Sequence, residues 1–244
     1  MRILLLFLLA IFSAFTLADQ VENTAELALL PPYCGGTQQI RTISHDPKPI
    51  EAYLALYGQP YYHLHHYCWA LNSENKAARM SDRYLRESKL SYALEDIKYT
   101  LDRSTPSFVF LPEIYNTQAR ILFTLRRDPE AVVALNRAIE AKPDYVPAYL
   151  RLSEYFVDKG NKSEAIKILE QGIDNTENAN VLIKKLTKLG KTYQGVPGNK
   201  HKSEEPPQAI TPSEPLPPTE NSAEKTPAPP SDQSTKGPYC RFCP

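Results

Sequence analysis

The 244-residue chain carries 28 Lys and Arg against 28 Asp and Glu, with 22 prolines and four cysteines. Balanced charge lacks the basic surplus of a nucleic-acid binder and the acidic surplus of a solvating disordered chain. The length provides for one large domain or two small ones. Proline exceeds the usual ~5%, and twelve of the 22 lie in the last 48 residues, so two kinds of chain are joined here.

Residues 1–18 read as an export signal. Met1-Arg2 supplies a positive charge, Ile3 to Phe12 is an almost unbroken apolar run, and small residues lead to a cleavage point after Ala18. The run is short of the ~20 apolar residues that span a bilayer, and no other segment is apolar enough to cross one. The expectation is therefore a periplasmic or secreted protein with no integral membrane segment after cleavage. An exported chain holds its cysteines mostly oxidised. Of the three possible pairings, Cys34–Cys68 and Cys240–Cys243 join residues of the same compositional region.

Residues 19–49 are rich in turn signals (Pro31-Pro32, Gly35-Gly36, Asp46-Pro47-Lys48-Pro49) and read as an irregular arm pinned at Cys34. From 50 to 190 proline is sparse and apolar positions take helical spacing. Residues 191–244 turn to Pro, Ser, Thr, Glu and Lys, a composition that cannot bury enough surface to offset its ordering entropy. A disordered tail ending in Cys240-Arg-Phe-Cys243 is expected there.

The middle region repeats with a period of 34. Ala131, Leu135 and Ala138 return as Ala165, Leu169 and Gly172, and Tyr115, Ala119 and Leu122 return as Tyr149, Ser153 and Phe156. Asp128-Pro129 reads as an N-cap with proline at the first helical position. Gly160 reads as a helix end, and Asn161-Lys-Ser-Glu164 as a capping box. A degenerate third hairpin precedes these: Ala93, Ile97 and Thr100 on its second helix, Tyr62, His66, Trp69 and Ala70 on its first. About four residues are inserted near Pro106–Pro112, and Ala70 stands about 11 residues early, which a longer hairpin absorbs. Leu182, Ile183, Leu186 and Leu189 form the inner stripe of a capping helix.

On these residues, 112–177 resemble two consecutive tetratricopeptide repeats, closing on Lys142-Pro143-Asp144; Ser153 stands where the family prefers glycine, and Glu177 where it has proline. The resemblance implies an all-α stack of about three helical hairpins plus a capping helix. It also implies a protein partner bound along the concave face of the first helices. The inward positions are then Asn116, Arg120, Phe123 and Thr124 in one repeat, and Leu150, Glu154, Val157 and Asp158 in the next. This mixture differs from the basic set with which some relatives clamp a terminal carboxylate, so an acidic peptide tail is not the expected ligand. The expected partner is another envelope or secreted protein, and the expected role is a scaffold or assembly factor, not an enzyme.

Two clusters carry the alternative of a thiol-redox or metal-binding enzyme. His63, His65, His66 and Cys68 offer i,i+3 pairs on a helix, although packing around a disulfide-bonded Cys68 accounts for the same residues. Cys240 and Cys243 form a C-x-x-C without the following histidine that haem attachment needs; here it ends a proline-rich tail, not a strand–helix turn. No phosphate loop, dinucleotide-binding glycines or zinc-protease signature occurs, and no cofactor is expected.

Overall fold

A computed structural model describes residues 20–199. The export signal, Cys240 and Cys243 lie outside the described residues. Within them the chain is helical and carries no strand: α1 (Thr24–Leu27), a 3₁₀ turn (Pro32–Gly36), α2 (Arg41–Ser44), α3 (Ile50–Tyr57) and a second 3₁₀ turn (Gln59–His63) precede the stack. The stack comprises α4 (Leu64–Ala77), α5 (Arg83–Asp102), α6 (Leu111–Thr124), α7 (Asp128–Ala141), α8 (Val146–Asp158), α9 (Lys162–Asn175) and α10 (Asn180–Lys188). The pairs α4/α5, α6/α7 and α8/α9 are antiparallel hairpins, and α10 closes the end against α8 and α9. None of the described helices is long and apolar enough to cross a membrane.

The 34-residue period has a direct physical basis. Ala119, Ser153, Ala131, Ala165 and Ala138 are all fully buried where the two helices of a hairpin meet, and Leu135 and Leu169 fill the seam between them. Gly172 occupies the tightest of these places. A Cβ built there lies 2.7 Å from Cγ of Tyr149 and 3.0 Å from Cδ1 of Leu182. Tyr149 is itself buried; its hydroxyl donates to the Pro143 carbonyl at 2.8 Å and accepts from the Asn175 amide at 2.8 Å, so the ring has nowhere to retreat. Gly172→Ala is therefore expected to lower the urea midpoint, by about 1–2 kcal/mol in stability. Overpacking of about 1–3 kcal/mol exceeds the ~1 kcal/mol that alanine gains over glycine inside a helix. An unchanged or raised midpoint contradicts this packing.

The helix ends follow the same period with one exchange. Gly160 ends α8 with φ 72°, and the Asn161 N–H returns to the Phe156 carbonyl at 2.8 Å. Thirty-four residues earlier Arg126 adopts the same left-handed turn with φ 61°, and the Arg127 N–H returns to Leu122 at 2.9 Å. Left-handed backbone is unfavourable for a residue with a Cβ. Asn161 caps α9 by accepting from the Glu164 N–H at 3.1 Å. Asp128, in contrast, is the first residue of α7 and not its N-cap: Arg127 holds that place without a side-chain cap, and the Asp128 carboxylate pairs with Lys159 at 2.7 Å.

Several expectations are revised. Tyr62 precedes the first helix of the leading hairpin, because the Gly58–Pro60 segment forces a 3₁₀ turn and α4 starts at Leu64. The extra hairpin length is carried by α5, which runs 20 residues against 14 in α7 and α9. The arm is not irregular: it forms short helical turns and contributes Val21, Leu30, Cys34 and Ile40 to the main core. Aromatic stacking ties it down, with Tyr53 and Tyr61 rings 5.3 Å apart and Tyr57 5.1 Å from Phe110. The tail does not begin at 191. Lys191 pairs with Glu170 at 2.8 Å, Tyr193 donates to Asp174, and the Gly198 N–H reaches the Ile173 carbonyl at 3.0 Å, so residues 191–198 run back along α9.

Candidate functional site

The first helices α4, α6 and α8 form the inner wall of the stack. Ala70 and Ala119 are buried at equivalent points of α4 and α6. In that register Tyr67, Leu71, Glu74 and Asn75 of α4 correspond to Asn116, Arg120, Phe123 and Thr124 of α6.

The arm packs on α4 beside this wall. Cys34 and Cys68 are bonded, with Cα atoms 5.8 Å apart and both residues fully buried. The Asn72 amide donates to Glu26 Oε2 at 2.8 Å and to the Gln20 carbonyl at 3.2 Å, and Lys76 pairs with Glu26 at 3.1 Å. The Tyr33 hydroxyl donates to Glu113 Oε1 at 2.6 Å, while its carbonyl accepts from the Tyr61 hydroxyl at 2.7 Å. Burial raises the Tyr33 pKa further above the ordinary phenol value, with Tyr67 and Glu113 adding to the effect, so it remains a donor. Cys68 and Asn72 lie off the inward stripe, at the positions that correspond to Thr117 and Ile121 of α6, of which Thr117 meets Tyr67 of α4; the arm thus takes the place of a preceding hairpin and reaches the concave face only at its rim, through Leu29 and Pro31.

Two grooves remain. The first, about 400 Å³, is walled by Leu29 and Pro31 of the arm, Leu71, Glu74 and Asn75 of α4, and Asn116 and Arg120 of α6, with Tyr145 and Pro147 opposite. Arg120 donates through Nε and Nη2 to the two carboxylate oxygens of Glu74, a bidentate pair that raises the arginine pKa. The second, about 280 Å³, lies between the C-terminal ends of α6 and α8. Phe123 and Tyr155 stack on its wall at 5.3 Å, Arg126 and Arg151 border it, and Lys159, Asp128, Glu154 and Asp158 complete it. Arg151 is half-buried and donates from Nε to Asn116 Oδ1 at 3.2 Å. Burial, then the neighbouring Arg120 charge, lowers its pKa from the usual value. Glu154 is held by Lys185 at 2.8 Å.

The residues named from the sequence are distributed unequally over these grooves. Asn116 is buried on the floor and orients Arg151. Arg120 faces the first groove and Phe123, Glu154 and Asp158 the second. Thr124 is exposed, its hydroxyl donating to the Arg120 carbonyl at 3.0 Å, and Val157 is exposed. Leu150 packs toward the α8–α10 core. Glu74 lines the first groove at the α4 position that corresponds to Phe123, whereas Tyr145, Arg126, Arg151, Tyr155 and Lys159 line the grooves although the repeat register does not point to them. These five lie one helical position off the expected stripe or in the turns beyond it.

The histidine cluster sits on the opposite side of α4, against α5. His66 Nδ1 lies 2.7 Å from Asp96 Oδ1, and the His66 ring is 3.8 Å from Tyr99, over which Arg103 stacks at 3.6 Å. His65 Nδ1 lies 3.1 Å from the Tyr62 carbonyl, and its ring meets Trp69 edge-on at 4.9 Å. His63 falls in the 3₁₀ turn, so it shares no helix face with His66. Cys68 is bonded to Cys34. Among the described residues no three His, Cys, Asp or Glu side chains converge into a metal site. The cluster is an aromatic seam of the leading hairpin.

Comparison with known proteins agrees with this geometry. The tetratricopeptide repeat family model matches twice, over residues 112–145 and 146–178, which are the α6/α7 and α8/α9 hairpins. No curated protein and no solved structure matches the chain. Two adjoining family matches on two stacked hairpins with a shared concave wall make residues 112–178 a pair of tetratricopeptide repeats.

Proposed function

We propose that the protein is an exported scaffold or assembly factor that holds a partner protein of the envelope or secreted fraction on the concave wall of α6 and α8. The repeats make it a protein-interaction scaffold in general. The observation that carries the finer reading is the pair of open grooves on that wall. Export is supported by the order of charge, apolar run and small residues in 1–18. The buried Cys34–Cys68 bond suits an oxidising compartment.

The test is site-specific photo-cross-linking in the intact source cell, with the photo-reactive residue at exposed Thr124 on the concave wall or at Val133, 51% exposed, on the outer side. A discrete partner adduct from position 124 and none from 133 is expected. Equal capture from both, or none from 124, overturns the assignment.

A further inference from the structure

The second groove specifies its occupant more closely than its size does. Four cations approach it, and two are already engaged: Lys159 with Asp128 at 2.7 Å, and Lys185 with Glu154 at 2.8 Å. Arg126 and Arg151 have no carboxylate partner among the described residues, and the carboxylate left to face them is Asp158, exposed at the rim. Arg151 is half-buried with one of its five donors given to Asn116. A guanidinium in that setting has lost water with Glu154 and Glu74 acting on it only through space, and its unmatched donors are what a carboxylate satisfies in bidentate fashion.

Arg126 adds a second, independent observation. It occupies a left-handed backbone position, φ 61°, at which the following repeat carries Gly160. A side chain kept at a place that favours glycine, on the border of a groove, is a recurrent mark of a functional position. Beside the two arginines, the stacked Phe123 and Tyr155 rings, with Phe156 5.2 Å from Tyr155, offer an apolar and aromatic surface. Rings of this kind take up proline or aliphatic side chains from an extended, prearranged peptide.

We infer that the second groove binds an internal acidic side chain, Glu or Asp, of an extended partner segment, with a proline or aliphatic residue next to it on the Phe123–Tyr155 surface. The carboxylate is taken by Arg151 and Arg126. This rests on the concave face being the partner surface, and the occupant is not the acidic peptide tail that the sequence analysis set aside: the selecting arginines lie outside the eight positions assigned from the repeat register. A terminal carboxylate is not required, since the groove is open along the wall.

The test uses the full chain against a randomised peptide library blocked at both ends, so that side-chain carboxylates are the sole anions. Enrichment of Glu or Asp at one fixed position, with Pro, Leu, Ile or Val adjacent, is expected. The best acidic peptide is then titrated by fluorescence anisotropy against the parent and against Arg126→Gly/Arg151→Gln. The glycine suits the left-handed turn and the glutamine retains a donor for Asn116, so the fold is preserved, which the unfolding midpoint verifies. Affinity is expected to fall about tenfold or more in the double variant, to fall in 0.5 M salt, and to fall similarly when the peptide's Glu is changed to Gln. Enriched peptides lacking a preferred acidic position leave the concave-face assignment standing and overturn this inference. So does an acidic preference that survives the double variant, and so does the absence of any enriched peptide.

Discussion

Cys34→Ala/Cys68→Ala is expected to lose about 3–4 kcal/mol of stability and to loosen the arm on α4. The bond spans a sequence separation of 34 residues, and closing a loop of that size removes unfolded-state entropy worth about this much in the chain-entropy model. Alanine is preferred to serine because both positions are fully buried, and a buried hydroxyl without a partner adds its own penalty. In a domain of this size the change corresponds to a fall in Tm of about 10 °C. The arm keeps polar attachments through Glu26, Tyr33 and Asn72, so loss of the bond loosens it more than it unfolds the repeats. Proteolysis in the 20–36 segment should therefore speed up well before the helical signal changes. A midpoint that moves by less than 1 kcal/mol, with the arm equally protected, shows that packing holds the arm and the bond is incidental.

Acid is expected to weaken the fold between pH 6.5 and 5, before most carboxylates titrate. His65 and His66 are fully buried. Burial, reinforced by the neighbouring His66, drives the His65 pKa from 6.5 to about 3; burial, then Arg103, lowers that of His66 as well. Both Nε2 atoms are buried without a hydrogen-bond partner, so a second proton on either ring has no acceptor. A depressed base binds its proton first in the unfolded chain, so stability is complete above 6.5 and falls as pH drops through the window down to about 3. The slope approaches about 1.4 kcal/mol per pH unit for each histidine, or about 2 kcal/mol for His65 alone between pH 6.5 and 5. The groups facing the pair are His63, Tyr99 and Arg103, and Asp96, whose carboxylate at Nδ1 of His66 opposes the effect there. His65 consequently carries the prediction. Urea midpoints at pH 7.5, 6.5, 5.5 and 5.0 give the slope, and His65→Phe, which keeps the ring against Trp69, should flatten it. A flat profile in the parent, or an unchanged slope in the variant, contradicts this account of the seam.

The two histidines also show how the same residues read differently at different distances. As a string, His63-Leu-His-His-Tyr-Cys68 has the density of a ligand set. In the folded chain a 3₁₀ turn removes His63 from the helix, a disulfide takes Cys68, and α5 supplies Asp96 and Tyr99 to what remains. Gly58–Pro60 marks the turn locally and the pairing of Cys68 with Cys34 was expected, but nothing near the histidines announces Asp96 and Tyr99.

The repeats were legible because their information is local and recurs. Small residues at Ala119, Ala131, Ala138, Ser153, Ala165 and Gly172 mark where helices touch, and a return of such positions every 34 residues is the period of a stacked helical hairpin. The inward stripe followed from that register, and Arg120, Phe123, Glu154 and Asp158 of it line the grooves. Register gives the direction of a residue from its own helix and not what stands in front of it. Asn116 points inward yet is buried beneath Arg151, and Leu150 is drawn into the α8–α10 core.

By itself, then, the order of residues determined the helical class, the hairpin period, the capping helix and the balance of charge that suits protein partners. Only the tertiary structure decided that the arm packs on α4 and that Arg126 and Arg151 border one groove beside a ring pair. It also decided that the chain beyond α10 returns along α9 as far as Gly198. The physical reason is the range of the interactions. Helix periodicity is written in contacts three and four residues apart, whereas the arm is placed by Asn72, Glu113 and Cys68, each 34 to 80 residues away from its partner. Contacts of that separation repeat nowhere in the chain and become visible only once it is folded.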